Sequence, residues 1–287
     1  MKKASEKKMR TGLGAGRLSL IKRGGSLLLV CLYLLILPAL CLAEAKWPSA
    51  PGTVTETSGK LAVDLSNISE GYFMAAAPGG AAHRLKLRVE KDGMTLTYDL
   101  NVEGEYEVFP LQLGSGSYVV SLYENVGGKK YAQQGGTTVN VQLTREDAAF
   151  LYPNQYIHYT ELSPLVEKAA ELCGGLGEKE IYDTVCAFVT SEFVYDYIRA
   201  LTIPAGELPD ADGAYEKRMG ICQDLSAVTV GMLRTMGIPG RMIIGYADDQ
   251  YHAWTSTMVE GVDRFYDPTA AVGGITTVKD YSVERYY

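Results

Sequence analysis

The hydrophobic period of the chain changes near residue 150, and that change dictates two kinds of layer in the fold. Between Leu61 and Leu143 the apolar residues recur at every second position. Leu85, Leu87 and Val89 alternate with Lys86, Arg88 and Glu90, the pattern of a strand with one buried face. Further runs of this kind are Thr95–Leu100, Tyr106–Leu111, Tyr118–Tyr123 and Thr138–Leu143, separated by Gly114-Ser115-Gly116 and Gly127-Gly128. Short strands at this spacing predict an all-β sandwich of immunoglobulin-like type over residues 61–150. Residues 46–60 are rich in Pro, Ser, Thr and Gly without periodicity and read as a linker. The many tyrosines on these strands suit cross-strand packing.

After residue 150 apolar residues fall at intervals of three and four. Ser163-Pro164 predicts a helix start, with Ser as cap and Pro in the first turn, and Gly174-Gly175 ends that helix. Ile181, Val185, Phe188, Val189 and Phe193 predict a second helix over 178–200, and 206–213 reads as loop. The chain is therefore expected to be multi-domain, with a second domain over residues 151–287.

The first 45 residues read as an address. A basic stretch ending at Lys22-Arg23 precedes an apolar run from Leu27 to Ala43, and Ala43-Glu44-Ala45 has the small-x-small outline of a cleavage site. A cleaved signal peptide, an uncleaved signal anchor and a lipoprotein acylated at Cys41 all put the body of the protein outside the cytoplasm, secreted or at the cell surface. Only an uncleaved N-terminal segment would then touch a membrane. Of 27 Lys+Arg, eight lie in this stretch, against two of the 34 Asp+Glu. The remainder is strongly acidic, which argues against a nucleic-acid partner.

Cys173, Cys186 and Cys222 remain beyond the leader. Cys173 and Cys186 could pair across a helical hairpin or serve as small buried hydrophobes. With no CxxC and only three histidines (His83, His158, His252), neither a metal site nor a cofactor is expected.

The segment Met219-Gly-Ile-Cys-Gln-Asp-Leu-Ser226 leads into an apolar helical stripe stopped by Gly237 and Pro239. This puts Cys222 at or just before a helix N-terminus, where unpaired amides and the dipole favour a thiolate. Gly220 would let the backbone approach a substrate, and Asp224 would complement the dipole as a first-turn carboxylate. Strands are expected at 241–246, 251–259 and 264–267, the second carrying His252 and the third ending at Asp267. If they pack on the start of the Cys222 helix, a thiol, an imidazole and a carboxylate converge, as nucleophilic catalysis requires. A symmetric turn around Gly261-Val262 would set Asp267 opposite Ser256 rather than His252, so a bulge or lopsided loop is expected. Trp254, on the same face as His252, would shield the imidazole or fill core, and Arg241 would be an ion-pair partner.

Gly220-x-Cys222, Leu233-Arg234-x-x-Gly237-Ile238-Pro239-Gly240-Arg241, Gly245-Tyr246, His252-Ala253-Trp254 and Asp267-Pro268-Thr269 together resemble the transglutaminase-like superfamily, bacterial secreted type. Gly240 stands where many relatives have Ala. The resemblance spans roughly residues 156–269. It implies an α/β (α+β) papain-like core with helices packed on an antiparallel sheet, Cys222 as nucleophile, His252 as base and Asp267 as orienting acid. It further implies an enzyme acting on amide bonds of a protein or peptide, cell-wall peptides included, by hydrolysis or acyl transfer. The side-chain donor of the oxyanion hole is sought among Tyr195, Tyr197 and Tyr215. The alternative is a non-catalytic surface adhesion or scaffold protein that keeps the fold.

Overall fold

The computed structural model describes residues 45–273, 278 and 280–287. The expected leader lies outside the described residues, apart from Ala45. Alternation in the first half is realised as strands β1 (Thr55–Ser58), β2 (Leu61–Asp64), β3 (Tyr72–Ala76), β4 (Leu85–Lys91), β5 (Met94–Leu100), β6 (Glu107–Pro110), β7 (Gly116–Gly127) and β8 (Lys130–Val141). They form two four-stranded antiparallel sheets, ordered β1-β2-β3-β6 and β5-β4-β7-β8. Leu85, Leu87 and Val89 are fully buried, as are Leu122 and Val120, which face Leu87 and Val89 from β7, and Tyr118 on the same strand. The sheets meet through Tyr98 and Phe109, whose rings stand edge-on with centroids 5.4 Å apart, a favourable aromatic geometry.

The segment read as a linker contains β1. Its side chains are exposed or half-buried, so no apolar alternation marks it; backbone pairing to β2 holds it instead. At its far end the turn crosses β8, where Lys60 N–H donates to the Gln134 carbonyl at 2.9 Å. A Cβ on Gly135 would lie 1.9 Å from the Ser58 carbonyl oxygen, so only glycine fits this crossing.

The second half holds α1 (Pro164–Cys173), α2 (Glu178–Glu192), β9 (Val194–Tyr195), α3 (Tyr197–Thr202), α4 (Ala211–Lys217), β10 (Met219–Gly220), α5 (Cys222–Thr235), β11 (Gly240–Ala247), β12 (Gln250–Val259), β13 (Val262–Tyr266), α6 (Pro268–Ala271) and β14 (Tyr281–Tyr286). The last sheet is antiparallel in the order β13-β12-β11-β14, and helix α5 packs on it. Antiparallel sheets with packed helices make this an α+β arrangement. Every residue of α5 from Asp224 to Thr235 is buried, which makes it the central helix of this half.

Several local expectations are corrected. The helix read over 178–200 ends at Glu192, because Val194 and Tyr195 leave it to pair in parallel with Met219 and Gly220. The loop at 206–213 gives way to α4, capped by Asp210, whose carboxylate accepts from Gly213 N–H at 2.9 Å. Ser163 occupies the N-cap of α1 as expected, but its side chain makes no capping bond; its hydroxyl donates to Asp212 Oδ2 at 2.6 Å. Cys173 and Cys186 are both free thiols, and burial pushes Cys186 up to about 12. Arg241 lies over the rings of Phe150 and Tyr286, and among the described residues no ion pair engages it.

No gap in packing marks residue 150. One hydrophobic core runs from Leu61 through α5 to Tyr287, and Tyr287 stacks on Tyr156 while meeting Tyr98 of β5 edge-on. Arg234 of α5 closes this junction from inside. It is fully buried and donates from Nε and Nη2 to the Gly240 carbonyl (3.0 and 2.8 Å) and from Nη1 to the Tyr152 carbonyl (2.6 Å). Burial draws its pKa down to about 10, so it is still charged at neutral pH. A lysine is a point charge and cannot reproduce this fork. Arg234→Lys should therefore cost about 2 kcal/mol in urea unfolding; a loss below about 0.5 kcal/mol would contradict the assigned role.

Candidate active site

Cys222 is the first residue of α5 and is half-buried. The chain reaches it through β10, which is held against β9 by Val194 N–H to the Arg218 carbonyl and Asp196 N–H to the Gly220 carbonyl, each 3.0 Å. Packing alone requires glycine at position 220. A Cβ there would stand 2.9 Å from Asp224 Cβ and 3.1 Å from Ala214 Cβ.

Asp224 does more than complement the helix dipole. Its buried carboxylate accepts from Ile221 N–H (3.1 Å, Oδ2), Asp210 N–H (3.0 Å, Oδ1) and Arg199 Nε (3.1 Å, Oδ2). The first of these is the returning half of a capping box. The other two tie the segment before α4 and the helix α3 to the residues on either side of Cys222. Arg199 also donates from Nη1 to Glu207 Oε1 at 2.7 Å.

The hairpin of β12 and β13 turns at Glu260-Gly261, both with positive φ, the two-residue connection that keeps a ladder regular. Its register runs from Val259↔Val262 to Thr255↔Tyr266 without a shift. The expected bulge is therefore absent. One residue beyond the ladder, Asp267 falls level with Trp254, diagonal to His252 on the same face and within side-chain reach. Three contacts fix this end of the hairpin: Thr255 Oγ1 donates to the Tyr266 carbonyl (2.9 Å), Tyr266 OH to the Cys186 carbonyl (3.1 Å) and Tyr182 OH to the Phe265 carbonyl (3.3 Å).

His252 and Asp267 are both buried, with Nε2 and Oδ2 2.9 Å apart. Asp267 Oδ1 accepts from Ala270 N–H at 3.1 Å, capping α6, and Oδ2 also accepts from Tyr281 OH at 2.8 Å. Burial alone would pull the His252 pKa down; the Asp267 hydrogen bond and charge, with Cys222 close to the ring, outweigh it and push it up to about 9. Burial likewise opposes ionisation of Asp267, yet His252, the Ala270 amide and the Tyr281 hydroxyl hold it below the usual carboxylate range. Because Nε2 faces the carboxylate, Nδ1 is the ring nitrogen left for sulphur. The structure thus brings Cys222, His252 and Asp267 into one site.

Trp254 is buried, lies near-parallel to the imidazole at 6.1 Å and meets Tyr281 edge-on at 5.0 Å; it fills core and covers the ring at once. Tyr195 pairs across β9 and β10 with Gly220. Burial first, then the neighbouring Cys222, pushes its hydroxyl up to about 12. Tyr197 is exposed, sits edge-on to Tyr195 at 5.0 Å and donates to the Gly273 carbonyl at 3.1 Å. Tyr215 is engaged elsewhere, beneath the Arg218 guanidinium (4.0 Å) and beside Phe188 and Phe193. Tyr281 was not singled out from sequence. Its segment, YSVERY, alternates weakly and gives little sign that it joins this sheet.

The His252–Asp267 pair links stability to pH. A raised histidine pKa contributes stability that is complete below about 6.5 and is lost as pH rises through about 9. The depressed carboxylate contributes above its usual value of 3.8 and is lost as pH falls through its folded value. The urea midpoint should therefore fall between pH 6.5 and 9.5 more steeply in the native protein than in His252→Gln. Parallel declines would show that the pair is not coupled to folding.

Residues 168–265 match the model of the transglutaminase-like superfamily. No curated protein matches the chain significantly. Among solved structures, the chain is similar to a candidate cysteine protease from Cytophaga hutchinsonii at 14% identity, covering 82% of this chain and 90% of that one with a TM-score of 0.38. It is also similar to the ethylmercury-bound periplasmic domain of TgpA from Pseudomonas aeruginosa at 15% identity, covering 71% and 73% with a TM-score of 0.36. Among the described residues no helix is long and apolar enough to cross a membrane. The span of that family match includes both Cys222 and His252.

Proposed function

We propose that the protein is a secreted or surface-held thiol enzyme that opens amide bonds of peptides or glutamine side chains through an acyl-thioester on Cys222. The observation that carries this reading is the buried His252–Asp267 hydrogen bond beside a cysteine at a helix N-terminus. His252 Nδ1 takes the thiol proton as Cys222 Sγ attacks the carbonyl carbon, and the C–N bond breaks as that proton passes to the leaving amine. Asp267 keeps the Nε2 proton in place and so fixes the tautomer. Water, or an amine, then attacks the thioester carbonyl; His252 takes its proton and the thiol is restored. The first reads as protease or amidase activity, the second as acyl transfer.

An oxyanion needs donors before it forms. The Cys222 amide lies in the first turn of α5, where N–H groups have no helical partner. Tyr195 is suited to supply the second donor, because it pairs with Gly220 two residues before the nucleophile and lies close enough to Cys222 to feel its charge. The two N-terminal sheets, read as an immunoglobulin-like module, would present this papain-like core to substrates outside the cytoplasm, including cell-wall peptides.

Cys222→Ala should lose essentially all turnover of casein or glutamine-peptide substrates, and His252→Ala should lose about 10²–10⁴-fold. Ammonia release measured beside dansylcadaverine incorporation separates hydrolysis from transfer. Undiminished turnover in Cys222→Ala would remove Cys222 as the nucleophile, whereas absence of turnover in the native protein with equal iodoacetamide labelling at all three mature cysteines would leave the scaffold reading in its place.

A further inference from the structure

We propose that Tyr281 is a fourth member of this site, a positioning residue that locks the Asp267 carboxylate and limits how strongly it stabilises protonated His252. The inference rests on the roles given above to Cys222, His252 and Asp267. Its geometric basis is the shared oxygen: Asp267 Oδ2 accepts from both His252 Nε2 (2.9 Å) and Tyr281 OH (2.8 Å), while Oδ1 is held by the Ala270 amide (3.1 Å). Three donors on one carboxylate leave it no free rotation about its terminal torsion. Without the hydroxyl, the side facing β14 would hold nothing.

The phenol is itself firmly placed. Trp254 and Phe265 meet its ring edge-on at 5.0 and 4.8 Å. Its backbone enters β14 at the tight turn between β11 and β12, where Asp248 N–H donates to the Asp280 carbonyl (2.9 Å) and Asp280 N–H to Asp248 Oδ1 (3.0 Å). Tyr281 pairs with Ala247 across the ladder. A tyrosine used only for packing would have no cause to aim its hydroxyl at a buried carboxylate already spoken for by a histidine.

The electrostatic consequence has a definite sign. A hydroxyl donating to a carboxylate stabilises its charge whatever the state of the imidazole, and so weakens its pull on the Nε2 proton. The other titratable groups acting on the pair are Cys222 from α5, Tyr195 from β9 and Tyr266 from β13, and Asp248 acts on Tyr281. Of these neighbours, only Tyr281 joins His252 on the same carboxylate oxygen. Removing its hydroxyl should therefore make Asp267 a stronger acceptor and His252 harder to deprotonate.

The chain has three histidines, so the imidazole nitrogen resonance of His252 can be followed by NMR titration of the full mature protein. Tyr281→Phe should move its midpoint upward by roughly 0.5–1 pH unit, the scale on which a charge-assisted hydrogen bond acts. Site-specific 3-fluorotyrosine at position 281, a more acidic phenol, should move it downward. The fluorinated protein keeps the shape of the ring, so it decides the matter even if Tyr281→Phe folds poorly. A midpoint unmoved by either change, with or without a lower melting temperature, would reduce Tyr281 to a packing residue. A His252 in the native protein that shows no coupling to Asp267→Asn would instead overturn the histidine–carboxylate reading beneath the proposal.

Discussion

The carboxylate of Asp224 is the constraint on which the neighbourhood of Cys222 depends. A single buried group accepts from the residue before Cys222, from the segment that opens α4 and from the guanidinium of Arg199 on α3. Breaking it would leave the Ile221 and Asp210 amides without their acceptor, each at a cost of about 1–3 kcal/mol, and Arg199 with Glu207 alone. The position of the sulphur is thus set by an anchor two residues on. This is why Gly220 must be small: a β-carbon there would collide with the base of Asp224.

The opposite wall is held by a different logic. There the backbone ladder is regular, and the decisive event is where it stops. β13 ends at Tyr266, whose hydroxyl and carbonyl are engaged by α2 and β12, and Asp267 turns out of the sheet to cap α6. The same carboxylate that begins the helix reaches back diagonally to His252. Local capping and long-range pairing are served by two oxygens of one side chain.

How much of this was legible beforehand differs by element. The long amphipathic patterns were: the alternation of Leu85–Glu90, the start of the helix at Cys222, the strand bearing His252 and the strand leading to Asp267, which ends one residue earlier than expected because Asp267 turns out to cap α6. Elements set by backbone pairing were not. β1 has no buried face to betray it, and β9 and β10 are two residues each, drawn out of helical pattern by a partner 25 positions away. The register problem between His252 and Asp267 arose from placing the turn one residue too late; Glu260-Gly261 carries it without irregularity. Tyr281 was invisible because its role rests on β14 docking beside β11, a tertiary fact with only a weak local signal.

That edge strand has a consequence for biogenesis. β14 follows Cys222 by some sixty positions and closes the sheet last in chain order. While the chain is still being synthesised, the sulphur and the ring are already present, yet the acid lacks its final brace and the sheet its outer member. The third donor on the Asp267 carboxylate thus arrives with the last strand, so the finished geometry of the site depends on the whole chain having been made.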